Sequence, residues 1–314
     1  MRSSVTLAAE ARSRFAAESQ VPIDSIKIAL SLAAYGASLP LPHEFDGFYP
    51  PPYGPQAYIC PSTDPTVLPY RNAFRVDEHA KEEQAEAALT AFHLERLRAY
   101  AADATTWRSI DALAFETVPL AREVRAIRRA VAALEDDGLA PGERKPWWVC
   151  AVYTVGEFPE QKLGGDGDGR LSPRDLLAAY FGDSDVSAAP GGGEGGVRYA
   201  VPDAFGINCT AVAHVARVVA AVSDALEETS TAYPVGGGKP WLVLKPNGGQ
   251  TYDVNTRKWS SYNGGTPSRG EKWAGQLGDI VRAATNKGIW GGILVGGCCK
   301  TGDDELRALA KVLD

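Results

Sequence analysis

The sequence predicts an α/β fold built on parallel strands, and two observations carry this. Short runs rich in β-forming residues alternate with helix-forming stretches along all 314 residues. Strict β-then-α alternation is met by parallel strands joined through right-handed crossovers. Second, hydrophobic residues make up 45% of the chain and charged ones 23%, enough to bury a large core without disulfides. The length fits either two average domains or one α/β barrel of roughly 250 residues with insertions.

The elements follow in order. Val5, Ala8, Ala9, Phe15 and Ala16 fall on one side of an N-terminal helix at three- and four-residue spacing, with Arg12 interrupting that face. Ile26 to Gly36 is an apolar run closed by glycine, which reads as a buried strand. Pro40 to Asn72 is dense in Pro, Tyr and Gly and reads as a long surface loop. Asp77 to Ala102 is a helix with an acidic start, Ile110 to Thr117 a strand, and Pro119 to Leu134 a helix. Trp147 to Thr154 is a strand and Pro173 to Phe181 a short helix. Residues 182–197 form a glycine-rich insertion of low complexity, expected to be mobile. Ala204 to Cys209 is a strand, Ala211 to Glu228 a helix and Trp241 to Leu244 a strand. Trp273 to Lys287 is a helix, Gly292 to Cys298 the last strand, and Gly302 to Leu313 the closing helix. The total is six strands, with no solenoid repeat.

Composition excludes several function classes. A net charge of -7 argues against a nucleic-acid binder or a protein held to anionic lipid, since both need a basic face. No stretch of about 18 apolar residues is present, so no membrane span is expected. Five cysteines, an odd number in a long chain, suit a reducing compartment and hence a cytoplasmic protein. The N-terminal segment, with Arg2, Arg12, Arg14 and several serines, loosely resembles a mitochondrial transit peptide. Glu10 and Glu18 count against that reading.

The cysteines are the most informative residues. Cys209 ends one predicted strand, and Cys298 and Cys299 end another two βα units later. In a parallel barrel all strand C-termini lie on one face, where active sites sit. Neighbouring residues in a strand point to opposite faces, so Cys298 and Cys299 can share an ion only if the chain turns there. Gly296, Gly297 and Gly302 make such a turn reasonable. Three thiolates with a fourth position open match a catalytic zinc pattern. The spacing equally allows buried cysteines acting as small hydrophobes, or a strained vicinal disulfide. Cys150 reads as a core residue and Cys60 as a loop thiol.

The segments Gly206–Thr210 (GINCT) and Gly296–Thr301 (GGCCKT) resemble the two signature segments of the homocysteine S-methyltransferase family. Leu244–Asp253 (LKPNGGQTYD) with Lys258 and Trp259 resembles the family's seventh-strand segment. Ala114–Thr117 (AFET) resembles its fourth-strand segment, and Tyr35–Ala37 with Glu44–Gly47 its third strand and loop. The likeness covers nearly the whole chain apart from the glycine-rich insertion. It implies one homocysteine-binding domain over residues 1–314 with a TIM-type (β/α)8 barrel fold. It also implies Zn²⁺ held by Cys209, Cys298 and Cys299, with homocysteine and a sulfonium methyl donor as partners. The pattern is closer to members using S-methylmethionine or S-adenosylmethionine than to the betaine-dependent branch. Carried over residue by residue, Glu116 would bind the homocysteine amino group, and Asn208 and Asn247 would orient groups at the site. Without the likeness, Glu116 could equally be a carboxylate at a helix N-terminus before Pro119, and either asparagine could simply hold a turn.

Two departures stand out. Ala33–Ala34 occupy the place where the family usually carries Gly-Pro before Tyr-Gly-Ala, which would narrow the approach to the site. The family's first two βα units, including an Asp-Gly-Gly-like strand, have no counterpart, and Met1–Phe15 resembles the helix after the second strand. The expectation is therefore an N-terminally incomplete barrel, an arc of about six parallel strands with two unpaired edges. That shape would suit either a truncated sequence of an ordinary enzyme or a catalytically impaired zinc-binding paralogue.

Other motifs carry less. Asp166–Leu171 resembles part of a calcium loop, but Gly164 falls at the first ligand position and Asp175 replaces the bidentate glutamate. His43, His79, His93 and His214 show no metal-ligand spacing, and His93 and His214 read as structural. Gly291–Gly292 and Gly296–Gly297 could mark the phosphate site of an unrelated barrel enzyme, an idea the paired cysteines displace.

Overall fold

The computed structural model describes residues 2–56, 71–139, 142–163, 169–182, 185–186, 197–229, 238–248, 250, 252–253, 258–259 and 269–314. In chain order, α1 (Arg2–Ser19) leads to β1 (Ala29–Ala33), α2 (His79–Ala101) and a short α3 (Ala104–Ser109). Then come β2 (Ala112–Val118), α4 (Ala121–Asp136), β3 (Trp147–Ala151), and the two-residue strands β4 (Gln161–Lys162) and β5 (Gly169–Arg170). After α5 (Pro173–Phe181), β6 (Asp185–Val186) and β7 (Val197–Arg198) precede β8 (Ala204–Ala211) and α6 (Val212–Thr229). β9 (Trp241–Asn247), β10 (Tyr252–Asp253), β11 (Lys258–Trp259), α7 (Arg269–Lys287), β12 (Ile293–Val295) and α8 (Asp303–Leu313) complete the chain.

Six strands form one parallel sheet in the order β1-β2-β3-β8-β9-β12, the same order as in the sequence. Right-handed crossovers that always step in one direction place every connecting helix on the same face. The sheet is therefore singly wound, in the manner of a TIM-type barrel rather than a doubly wound fold. The helices pack in succession around it, α2 on α4, α4 on α5, α5 on α6, α6 on α7 and α7 on α8. Leu113, Phe115, Trp147, Val149, Phe205, Ile207, Leu242 and Leu244 bury the outer face against this layer. The inner face holds a smaller cluster of Ala112, Ala114, Trp148, Cys150, Ala204 and Val243.

The sheet ends at β1 and β12, and among the described residues each pairs on one side only. The six-stranded arc expected from the sequence is what the described residues form. Its end strands are the less buried ones: Ala29, Ser31 and Ala33 are exposed on the inner face of β1, and Leu294 on β12 is 38% exposed. β2 and β3 are buried on both faces, as central parallel strands are.

Several expectations are refined. The last strand spans only Ile293–Val295, not Gly292–Cys298; beyond it Gly296 and Cys298 still bond to the β9 backbone, and the chain turns at Cys299–Lys300. Phe15 and Leu7 are exposed, and α1 is anchored instead by Val5, Ala16 and an Arg12–Asp111 ion pair of 3.0 Å. The residue that interrupted the apolar face is thus a docking residue. Helix α3 escaped the periodicity reading because six residues are too few to show one; Asp103 caps it by accepting from the Thr106 N–H at 2.7 Å. Of the glycine-rich insertion, residues 183–184 and 187–196 lie outside the described residues, while β6 and β7 pair antiparallel at its margins. Of the calcium-like segment, residues 166–168 also lie outside. Asp175 forms a capping box with Ser172 at the start of α5 and takes an ion pair from Lys162. No described helix is long and apolar enough to cross a membrane.

Candidate metal centre

The site forms where β2, β8 and β9 end and the chain turns after β12. At the end of β8, Cys209 takes a left-handed backbone with φ 48°, and Thr117 at the end of β2 does the same with φ 60°. A β-branched residue in that region is strained, and such strain concentrates at functional sites. Both positions coincide with register shifts in the ladder, between Phe115 and Val118 and between Asn208 and Ala211. The strand ends are thereby re-aimed over the rim of the sheet.

The partner turn is clamped to β9. Gly296 N–H donates to the Leu244 carbonyl, Cys298 N–H to the Pro246 carbonyl at 2.8 Å, and Gly248 N–H to the Cys299 carbonyl at 2.9 Å. Lys300, with φ 62°, completes the reversal. Gly248 and Gly297 are required by close approach, because a side chain there would run into Lys300 and Thr301 respectively. The paired glycines are thus packing devices for the turn. Gly292 likewise lies flat against the Trp241 ring, where a Cβ would come within 2.8 Å.

These two strand ends bring Cys209, Cys298 and Cys299 together, with all three Sγ atoms within 4.8 Å of one another. Cys209 Sγ lies 2.8 Å from Cys298 Sγ and 3.7 Å from Cys299 Sγ. None is in a disulfide, which disposes of the vicinal alternative. Cys209 is buried, Cys298 half-buried and Cys299 exposed, so the cluster opens to one side. Hydrogen bonds from Cys209 and Cys298 hold the Cys299 sulfur down to about 3, while the Cys209 thiol is pushed up by the same contacts and by burial. A set of three soft donors, one already favoured as thiolate, with an open fourth side, fits a zinc ion. The Cys209–Cys299 separation is close to the ~3.8 Å edge of a tetrahedron of sulfurs at 2.3 Å. The closer Cys209–Cys298 pair would have to spread around an ion.

Glu116 and Asn208 stand beside the cysteines. Asn208 is buried; its Oδ1 accepts from Thr117 N–H at 2.8 Å, and its Nδ2 donates to Glu116 Oε2 at 2.9 Å and Thr117 Oγ1 at 2.8 Å. The same Nδ2 lies 3.7 Å from Cys298 Sγ. Asn208 is the bridge between the carboxylate and the cluster. Glu116 is not a helix cap: that role belongs to Glu160, which accepts from Ala121 N–H at 2.5 Å at the start of α4. Asn247 is buried at the end of β9, where its carbonyl accepts from Trp273 Nε1, and its Oδ1 has no partner among the described residues. Among the described residues it shows no hydrogen bond to Glu116 or to a cysteine. Cys150 is fully buried below Glu116 with its thiol pushed well up by burial and then by Glu116, so it is the inert hydrophobe its strand position suggests. Cys60 lies outside the described residues.

One residue of the site escaped the sequence reading. Lys245, on β9, reaches Glu116 Oε1 with its Nζ at 2.5 Å. Burial opposes its charge, but the Glu116 carboxylate, by charge and by hydrogen bond, helps to hold its pKa above the ordinary value. The available signal was a lysine inside an otherwise apolar strand.

Comparison with known proteins agrees with this arrangement. Homocysteine S-methyltransferase 4 of Zea mays is 29% identical over 111 residues, which are 35% of this chain and 26% of the maize protein. A selenocysteine methyltransferase of Astragalus bisulcatus is 31% identical over 110 residues, again 35% of this chain and 26% of the relative. The matched stretch thus spans about a quarter of the length of these curated relatives. The metallated form of the homocysteine methyltransferase MmuM from Escherichia coli superposes with a TM-score of 0.51 at 21% identity, covering 99% of this chain and 69% of that one. At that identity it speaks for the fold, which is the TIM-barrel-like one. The family model for homocysteine S-methyltransferases matches residues 1–313. With the family's signature cysteines converging at the strand ends of its fold, this chain belongs to the homocysteine S-methyltransferase family.

Proposed function

We propose that the chain transfers a methyl group from a sulfonium donor, S-methylmethionine or S-adenosylmethionine, to homocysteine, giving methionine. The convergence of Cys209, Cys298 and Cys299 beside Glu116 and Asn208 carries this reading. Cys209, Cys298 and Cys299 would hold zinc, which supplies a Lewis acid that keeps a bound thiol deprotonated at neutral pH. A free thiol with a pKa near 8.5 is otherwise mostly protonated there. Glu116 receives the substrate ammonium, and Asn208 fixes the carboxylate by donating to Oε2. Ala112, Ala114, Trp148 and Val243 line the inner face below with apolar surface and keep water from beneath the site. The homocysteine sulfur forms a bond to the methyl carbon as the donor's sulfonium–carbon bond breaks. The electron pair stays on the departing thioether, so no general acid is needed.

The test has two arms. The purified chain should bind about one zinc, lost on Cys298→Ser, and should form methionine from homocysteine with one of the two donors. Zinc binding without methionine would favour the second reading, a metal-binding chain impaired in turnover. The ion pair that already occupies Glu116 gives that reading its support. A chain that binds no zinc would overturn both.

A further inference from the structure

Lys245 is an expensive residue in its position. It sits on β9 opposite Asn208, while Glu116 sits on β2, three strand spacings away or roughly 14 Å along the sheet. The side chains nevertheless meet at 2.5 Å, because the sheet curls around its inner face. Their side chains are only 21% and 10% exposed. Taking both charges out of water is costly, and replacing such a pair by apolar residues is often neutral or favourable. As a mere brace the pair is therefore poorly motivated.

We propose that Lys245 is the residue that recognises the α-carboxylate of the substrate, so that Glu116 and Lys245 together read an amino-acid zwitterion. This rests on the homocysteine reading and deepens it. The exchange is like for like. The ligand ammonium takes the place of Lys245 Nζ on Glu116, and the ligand carboxylate takes the place of Glu116 on Lys245. No buried charge is left unpaired at any stage, which the cost of an isolated buried ion requires. Lysine suits the role because its ammonium rides on a flexible four-carbon stem and can follow the incoming carboxylate. Glu116 stays in place because Asn208 holds its other oxygen. The ion pair lies one asparagine side chain from Cys298 Sγ, a short reach suited to a thiol and an α-carbon separated by two methylenes. Among the described residues Lys245 is the only cation paired with Glu116.

The experiment compares three thiols on the zinc-loaded 314-residue chain by calorimetry. Homocysteine carries both charges, 3-aminopropane-1-thiol lacks the carboxylate, and 4-sulfanylbutanoate lacks the amine. Lys245→Met should weaken homocysteine and 4-sulfanylbutanoate by roughly 10- to 100-fold, the range for a lost charge-assisted hydrogen bond. It should leave 3-aminopropane-1-thiol within about threefold. Lys245→Arg, which keeps the charge and guards against a folding artefact, should recover most of the loss. Equal weakening of all three thiols would make Lys245 a structural brace and overturn the proposal. Tighter homocysteine binding by Lys245→Met would make it a plug and overturn it too. If the unaltered zinc-loaded chain binds none of the three, the homocysteine reading itself falls. If it binds all three equally, only the Lys245 assignment falls.

Discussion

Two buried glutamates seven residues apart show what separates scaffold from site in this molecule. Glu123, in α4, accepts from Tyr35 N–H at 2.6 Å, Tyr49 O–H at 2.7 Å and His93 Nε2 at 3.0 Å. Those donors come from the loop after β1 and from α2, so the carboxylate pins both to α4. It is 0% exposed and lies in regular helix. Burial pushes its pKa up, but the bonds from His93, Tyr35 and Tyr49 outweigh burial and hold it below the ordinary value. Glu116, in β2, precedes a left-handed residue, and its partners are one amide, the Cys150 thiol at 4.0 Å and one long, flexible lysine. Every lone pair of Glu123 that matters is used by the chain itself. Glu116 has a partner that can be exchanged. A buried carboxylate saturated by fixed neutral donors is architecture; one balanced by a displaceable cation is chemistry in waiting.

The comparison breaks first, and hardest, at Glu123. Replacing it by alanine strands three buried donors, each costing about 1–3 kcal/mol when unpaired. Glu123→Ala should lose about 3–5 kcal/mol, a large part of a typical domain's stability, measured by urea unfolding. Glu123→Gln, which keeps an acceptor oxygen, should lose clearly less. If the alanine variant unfolds like the parent, the cluster is not the brace described above.

Glu116 should behave in the opposite way. Glu116→Gln keeps the hydrogen bond from Asn208 but removes the charge that would take an ammonium. Its unfolding free energy should fall by less than that of Glu123→Ala, because the glutamine oxygen still accepts from Lys245 Nζ, which is 21% exposed and can turn to water, while homocysteine affinity falls by roughly 10- to 100-fold. 4-Sulfanylbutanoate, with no amine, should be spared. A loss of stability as large as that of Glu123→Ala would erase the distinction between the two carboxylates. A smaller effect is expected at Tyr49→Phe, which removes one of the three donors to Glu123 without leaving a donor unpaired. About 1 kcal/mol of stability should be lost, with thiol binding unchanged.

Much of this was legible in the residues. All six sheet strands and seven of the helices announced themselves through periodicity, and the GINC and GGCC segments identified the cysteines before their convergence was visible. What stayed hidden depends on distant pairings. Lys245 and Glu116 are 129 residues apart, and only the curl of the sheet joins them. Glu123, His93 and Tyr49 look like an ordinary helix-start carboxylate, a helix histidine and a loop tyrosine until the elements pack. Phe15 misled for a related reason: local spacing shows which residues share a helix face, not which part of that face meets the core.

The finest way to sharpen the comparison is the protonation of His93. The ring is 1% exposed, and burial pushes its pKa below the ordinary value, with the bond to Glu123 and its charge opposing and Arg96 reinforcing. A neutral ring donates to Glu123 from Nε2, and its Nδ1 keeps a bare lone pair, in keeping with the absence of a partner for that atom among the described residues. The unfolded chain takes up a proton on this histidine near pH 6.5, whereas the native ring resists it. Stability should therefore be full above that pH and fall as pH drops below it, by at most about 1.4 kcal/mol per pH unit from this one proton. Glu123 adds to the same acid limb lower down: its depressed pKa gives stability that is present above about 4.5 and lost as pH falls through the folded value. His93→Gln retains a donor to Glu123 but cannot titrate. Its stability should stay flatter between pH 7 and 5, with the later loss intact. A parent that instead gains stability relative to His93→Gln as pH falls would mean that His93 is charged in the native state. Glu123 would then be half of a buried ion pair, more like Glu116 than the geometry indicates.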